Sequence, residues 1–385
     1  MDRNEELAVG RRLLGHIDGR TTDLADDLFR NQVIAYSCRE RARLERDRLF
    51  RDQPIFMALG TRLPKPGDYF TENLAGLPVL LVRGTDGVVR AFANICRHRG
   101  APVAQGCGNA RAFTCPYHAW TYDLKGKLLG TTDKVAFAGL DLARHGLVPL
   151  PAAETYGMIF VRPKPAQSGE AGTIDIDATL GAMAADMAAL RLDSYPMFSV
   201  DRIAPSINWK FAVDTFLEGY HIPHLHRKTI GPYFIGNCGT FDSAGPNGRM
   251  CVPRTSIDDV RALPEVERNY RPHVISVYQL FPNTILIWQV DHIEIWRAFP
   301  HRDDPGRCDV EMTIYKPADS TRPDSYWEKN RAIAIRTVME EDFPLGEQMQ
   351  IGFESGATGE VIYGRNEPSL VHFHRSIRAA LGVAT

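Results

Sequence analysis

Residues 96–120 read CRHRGAPVAQGCGNARAFTCPYHAW. Cys96 and His98 form a C-x-H pair, Cys115 and His118 form a C-x2-H pair, and Cys115 follows His98 by 17 residues. Each pair lies in a turn bearing glycine or proline and offers one thiol and one imidazole, so the two together signal a metal site far more strongly than either alone. Zinc competes for a two-Cys, two-His set, but its usual spacing keeps the cysteines together and the histidines together. Here each loop contributes one of each. That arrangement suits an Fe–S cluster with two cysteines on one iron and two histidines on the other, because each loop must then straddle both irons.

Working outward, the chain has 385 residues, 44% of them hydrophobic, enough for a sizeable core and two domains. A net charge of -2 and a pI near 6.6 give no global basic field for nucleic acid or an anionic membrane. The first residues, MDRNEELAVGRRLLGHID, lack the apolar core of a signal peptide, and no 18 apolar residues run together. A soluble, cytoplasmic protein is expected. Seven cysteines without framework spacing suit a reducing compartment. Cys38, Cys238, Cys251 and Cys308 read as small buried hydrophobes, and Cys107, inside the cluster loop, as a packing residue.

The pattern over 20–50 predicts a helix ending near Phe50. LPVLLVRGTDGVVRAF then predicts a hairpin turning at Thr85-Asp86-Gly87. A strand is expected over Tyr156–Arg162, followed by PKPAQSGEAG, which reads as a linker. Beyond it, helices are expected over Ile176–Arg191 and NWKFAVDTFLEGYH, then strands in VISVYQLF, TILIWQVDHIEIWRAF and DVEMTIYKP, and a helix through YWEKNRAIAIRTVMEEDF. Strands and helices that do not alternate regularly predict an α+β fold. The expected divisions are an N-terminal helical segment, 1–50, packed on the catalytic domain; a cluster domain, 51–165; and a catalytic domain, 166–385.

CRHRG followed by CPYHAW resembles the Rieske 2Fe-2S motif. From the strands before Cys96 to GRNEPSLVHFHR, the chain resembles the large (alpha) subunit of Rieske non-haem iron aromatic-ring-hydroxylating oxygenases. The resemblance implies an all-β cluster domain and a helix-grip (START-like) catalytic domain built on an antiparallel sheet. It implies that Cys96 and Cys115 bind one iron of the cluster and His98 and His118 the other. Two neutral imidazoles in place of thiolates remove negative charge and raise the potential to about -150 to +300 mV. Such a cluster relays single electrons, so a second site must use them.

NWKFAVDTFLEGYHIPHLH, 208–226, offers three histidines for that site. On one helix, His221 and His224 share a face, whereas His221 and His226 do not. Pro223 disfavours helix at the residue before it, which frees His226 to turn back. The resemblance selects His221 and His226. A 2-His-1-carboxylate triad leaves Fe(II) open positions for dioxygen. Its carboxylate has candidates in Asp214, Asp291, Glu294, Glu341 and Asp342. The resemblance selects Asp342, in MEEDFPLGEQMQIGFES, and Glu341 then reads as a solvated charge about 100° away. Glu218, three residues before His221, can approach its imidazole. The resemblance places an acid here at the subunit junction, between a cluster histidine of one subunit and an iron histidine of the next. Many members have Asp there. Asn208 and Tyr220 are weaker supporting candidates at the catalytic site, and Trp209 reads as packing.

No G-x-G-x-x-G stands at a strand-to-helix turn, and no plant-type ferredoxin run is present. A separate NAD(P)H-dependent reductase, with or without a ferredoxin, is therefore the expected electron source. The expected function is O2-dependent hydroxylation of an aromatic or polycyclic substrate, with a monooxygenase performing N- or O-demethylation as the alternative and an electron-transfer-only Rieske protein, with two irons per chain rather than about three, as a further one. The resemblance further implies a homotrimeric ring, or an α3β3 assembly with a small subunit.

Overall fold

A computed structural model describes residues 1–73, 76–166 and 172–383. The chain forms two compact units, one of Met1–Glu45 with Leu180–Thr385 and one of Arg46–Thr179. The expected linker, 163–172, lies partly outside the described residues, and the compact units divide later, between Thr179 and Leu180.

The Arg46–Thr179 unit is built from short antiparallel strands. Its largest sheet runs Pro149–Leu150, Val89–Ala93, Val79–Arg83, Asp68–Glu72, Cys107–Asn109. Arg83 pairs with Val89 across the expected turn, where Gly87 takes φ +77, a conformation open to glycine without strain. The Cys96-His98 loop lies between Val89–Ala93 and Cys107–Asn109 of this sheet, and the Cys115-His118 loop joins Phe113–Thr114 to Thr121–Tyr122 in a small sheet completed by Leu128–Gly130. Trp120, Tyr122, Phe92 and Leu128 pack with Cys96 and Cys115 in one buried cluster, so the loops are anchored by their cysteine ends.

The other unit is organised by a seven-stranded antiparallel sheet, in the order Met197–Ile203, Cys308–Tyr315, Ile293–Pro300, Thr284–Trp288, Val274–Leu280, Asn247–Pro253, Thr240–Ala244. The central strands read as near-continuous β-branched and aromatic runs because both of their faces are covered. The protein is thus α+β. The helix Arg3–Gly19, capped by Asp2, buries Val9, Leu13 and Leu14 against Tyr270 and Val274. Gly10 lies against the Tyr270 ring, and a Cβ there would collide with it. No helix among the described residues is long and apolar enough to cross a membrane.

Three expected helices are corrected. Within 20–50 only Ile34–Ser37 and Arg39–Arg48 are helical, and Phe29–Gln32 is a strand paired with Glu360–Tyr363. Partners over 300 residues away in sequence override the local pattern there. The helix over 176–191 breaks at Gly181, which takes φ +58, into Ile176–Leu180 and Met183–Leu190. The third lies in the active site.

Candidate active site

The NWK helix is short, Trp209–Asp214. Asn208 caps it, accepting from Lys210 N at 3.0 Å. Lys210 and Glu45 form an ion pair buried to 1% exposure, and Trp209 Nε1 donates to the same carboxylate at 2.9 Å. The chain then leaves the helix through the bend at Glu218-Gly219, and Pro223 sits in the first turn of a second short helix, Ile222–Leu225. A proline's missing N–H is harmless in a first turn, so Pro223 starts a helix rather than ending one. His221 and His226 bracket this helix as its caps.

Their rings meet, Nε2 to Nε2 at 3.1 Å. Asp342 Oδ1 lies 3.3 Å from His226 Nε2 and 3.8 Å from His221 Nε2. The far side of each ring is held by a carboxylate: His221 Nδ1 donates to Glu218 Oε1 and His226 Nδ1 to Glu341 Oε2, the latter at 2.6 Å. With both Nδ1–H groups so committed, both Nε2 atoms present lone pairs beside a carboxylate oxygen. Three acceptors facing one another fit a cation between them, and two imidazoles with one carboxylate are the donor set of an open-sided non-haem Fe(II) site. Burial opposes charge on His226, but Asp342 and Glu341 prevail and raise its pKa. His224 stands apart, exposed, with its ring near Tyr220.

Glu341 is not the solvated charge that helical spacing predicts. It and Asp342 belong to a π-helical turn, Val338–Asp342, between the helices Asp324–Thr337 and Phe343–Glu354. The wider turn brings neighbouring side chains closer in angle than an α-helix does, and both reach the histidines. Burial opposes the negative charge on Glu341, but His226 and Thr229 outweigh it and lower its pKa. Of the other acids, Asp214 is buried, accepting from Tyr36 OH and facing His374.

Asn208 is corrected. Its amide nitrogen donates to Tyr36 O and Pro305 O and its side-chain oxygen caps the helix, so it builds the scaffold and does not line the cavity. Tyr220 is exposed and Trp209 is buried packing.

His221, His226 and Asp342 open onto a cavity of about 560 Å³. Phe216, Ile275, Val277, Ile287 and Trp296 give it apolar walls, while Arg254, Gln289, Asp291, His292, Glu294 and Tyr326 give it a polar side. Arg254 stands in no motif, and His292 lies in TILIWQVDHIEIWRAF, a run that signals strands and not a site. Asp291, Glu294 and Glu341 were among the candidate acids.

In the Arg46–Thr179 unit the cysteines point inward and the histidines outward. Cys96 and Cys115 are 3% and 2% exposed, whereas His98 and His118 are half-buried with ring centroids 4.5 Å apart. His98 stacks on Trp120 at 5.0 Å, and its buried Nδ1 has no hydrogen-bond partner among the described residues. Tyr122 OH lies 3.3 Å from Cys96 Sγ and accepts from Arg97 N. Two buried thiols beside two imidazoles, one with an orphaned ring nitrogen, fit a cluster with mixed ligands. Cys107 is exposed, not a packing residue, because its strand lies at the sheet edge; Cys38 is half-buried, and Cys238, Cys251 and Cys308 are buried.

Residues 55–142 match the Rieske [2Fe-2S] domain, and residues 190–382 match the ring hydroxylating alpha subunit (catalytic domain). The chain belongs to the Rieske oxygenase alpha subunit family. A 2Fe-2S domain and a non-haem iron catalytic domain are typical of these oxygenases, which work with reductase partners and form multimers. The benzene 1,2-dioxygenase alpha subunit of Pseudomonas putida is 34% identical over 396 residues, 89% of this chain and 79% of that protein. The glycine betaine monooxygenase oxygenase subunit of Chromohalobacter salexigens is 32% identical over 194 residues, 49% of this chain and only 41% of that protein. A quaternary ammonium Rieske monooxygenase of solved structure shares the fold, with a TM-score of 0.78 at 22% identity over 93% of this chain and 96% of that one.

Proposed function

We propose that this chain is the terminal oxygenase of a multicomponent system. In this reading Cys96, His98, Cys115 and His118 hold the cluster, and His221, His226 and Asp342 hold the iron. The observation that carries it is the convergence of those three side chains on the cavity wall, with each imidazole tied to a carboxylate on its far side. A substrate C–H bond, dioxygen, two electrons and two protons give a C–OH bond and water. When bound, the cluster supplies one-electron storage and the iron an open-sided centre for dioxygen chemistry. Glu218 and Glu341 fix the imidazole tautomers and raise their basicity. The apolar walls exclude water and hold the substrate against the triad.

The electrons come from a separate NAD(P)H-dependent reductase, with or without a ferredoxin. Glu218 Oε2 already accepts from the backbone of Tyr220 and His221 and Oε1 from His221 Nδ1, which leaves one acceptor direction. In a head-to-tail ring, a homotrimer or α3β3, that direction faces a cluster histidine of the next subunit.

Monooxygenation of a small polar molecule, demethylation included, is favoured over attack on an aromatic hydrocarbon. The polar side of the cavity supports it, as does the likeness to the glycine betaine enzyme. Ring dihydroxylation draws its support from the benzene dioxygenase likeness and the apolar walls. Counting the oxygen atoms from 18O2 in the product separates the two.

The oxygenase reading is tested by mixing two inactive variants, Cys115→Ser and Asp342→Ala, under conditions that exchange subunits. Activity should reappear at junctions that join an intact cluster to an intact iron site. A mixture that exchanges subunits and stays inactive overturns transfer between subunits. A wild-type protein with two rather than about three irons per chain overturns the oxygenase itself.

A further inference from the structure

Arg254 follows the strand Asn247–Pro253 and is fixed at its backbone, where its N–H donates to His273 O at 2.8 Å and its C=O accepts from Ile257 N at 3.0 Å. Its guanidinium lies over the Phe234 ring at 5.2 Å, and both residues line the cavity that holds the iron triad. A guanidinium carries five N–H donors in a planar fork. Arg254 commits one to Gln289 Oε1 at 3.0 Å, and its buried Nε–H has no hydrogen-bond partner among the described residues.

The acids nearby do not answer it. Asp291 takes His292 Nδ1 on one oxygen at 2.9 Å and Tyr326 OH on the other at 2.6 Å. Glu294 takes Trp296 Nε1 at 3.3 Å and lies 3.4 Å from His292 Nε2. None of the ion pairs among the described residues joins Arg254 to either acid, although both act on it through space. Burial lowers the pKa of Arg254 but leaves it a cation at neutral pH. His292, held between the two acids, is itself cationic at neutral pH, its pKa raised to about 9 by Asp291 and Glu294 against the opposing effect of burial. The uncommitted capacity on this wall is therefore that of a donor and a cation.

We propose that Arg254 sets the specificity of the oxygenase by docking a carboxylate of the substrate. This rests on the oxygenase reading above and narrows it to organic acids, zwitterions included. A carboxylate matches the planar fork in two hydrogen bonds from the terminal nitrogens, of which Nη2 also donates to Gln289. A neutral substrate leaves the charge of the guanidinium unanswered in the cavity, which is the source of selectivity.

The test compares acids with neutral analogues on the holoenzyme: benzoate against benzamide, and glycine betaine against choline. Binding is read by calorimetry without electrons, and oxygen uptake separately with a surrogate reductase. At least one acid should bind 10-fold or more tightly than its analogue, and Arg254→Gln should shrink that preference by about 10- to 100-fold, with Arg254→Lys between. An unchanged visible spectrum and iron content show that each variant is folded. No acid binding, equal binding within both pairs, or a preference kept by Arg254→Gln would each overturn the proposal. Because binding is read without turnover, a missing mononuclear iron or absent oxygen uptake with every substrate counts against the oxygenase reading alone.

Discussion

His226 Nδ1 and Glu341 Oε2 are joined at 2.6 Å, and Thr229 Oγ1 donates to the same oxygen at 2.7 Å. The acid adjacent to Asp342 thus grips the back of an imidazole whose front faces the triad. Removing such a partner weakens metal binding by about 10–100-fold in comparable sites. Glu341→Gln should lower iron affinity by that order while Thr229→Val lowers it less, as measured by competition with a chelator. Iron retention equal to wild type in Glu341→Gln would show that the contact does not orient His226.

The pairing of Glu341 with His226 was illegible in the sequence because angular reasoning assumed 3.6 residues per turn, and the segment is π-helical. Asn208 failed for the opposite reason. Its position beside Trp209 marks a helix start, and a cap and a catalytic amide look alike until the partners Tyr36 and Pro305 arrive from distant chain. The strands Val274–Leu280, Thr284–Trp288, Ile293–Pro300 and Cys308–Tyr315 were legible because covered β-branched runs are long, as was the hairpin at Gly87, which carries a local turn signal, whereas Met197–Ile203, Thr240–Ala244 and Asn247–Pro253 of the same sheet were not read as strands. Phe29–Gln32 was not, since its strand partner, Glu360–Tyr363, lies near the other end of the chain.

Tyr122 OH sits 3.3 Å from Cys96 Sγ. Toward a cluster-bound thiolate the phenol is the donor, and a hydrogen bond to a ligand sulfur favours the reduced, more negative cluster. Tyr122→Phe should therefore lower the potential. A bond worth about 1 kcal/mol corresponds to a shift of roughly 40 mV for one electron. Redox titration of the visible spectrum checks it, and a potential unmoved or raised would remove Tyr122 from the cluster's tuning.

Glu45 and Lys210 tie the helix Arg39–Arg48 to the NWK helix through two contacts, 2.8 and 2.7 Å, with both side chains 1% exposed. Burial pulls the lysine pKa down, and Glu45 opposes it without prevailing. Removing Glu45 strands the lysine charge, at a cost of about 3–5 kcal/mol, whereas Glu45 without Lys210 keeps Arg41 Nε at 3.2 Å and Trp209 Nε1 at 2.9 Å. Glu45→Leu should lower the urea midpoint sharply and Lys210→Met less, and the double variant should regain part of the loss from Glu45→Leu. Additive losses would mean that the pair is not coupled.

His292 makes the stability of its unit depend on alkaline pH. Its ring is 4% exposed and packs on Trp327, with Asp291 at 2.9 Å on one nitrogen and Glu294 at 3.4 Å from the other. Burial opposes the imidazolium, but the two acids prevail and raise its pKa to about 9, against about 6.5 in an unfolded chain. The folded state therefore binds this proton more tightly. Its contribution is fully present below about pH 6.5, declines as pH rises, and is lost above about 9, with an upper size of about 3 kcal/mol. The surrounding groups do not titrate in that window: Asp291 is depressed by His292 and Tyr326 in spite of its burial, Tyr326 is raised by burial and Asp291, and Arg254 stays charged. Urea unfolding of the wild type should weaken between pH 6.5 and 9, and His292→Asn, which cannot take up the proton, should be less stable at pH 6.5 and flatter across the window. If the variant and the wild type lose stability in parallel, the imidazolium between Asp291 and Glu294 is not the source of the dependence.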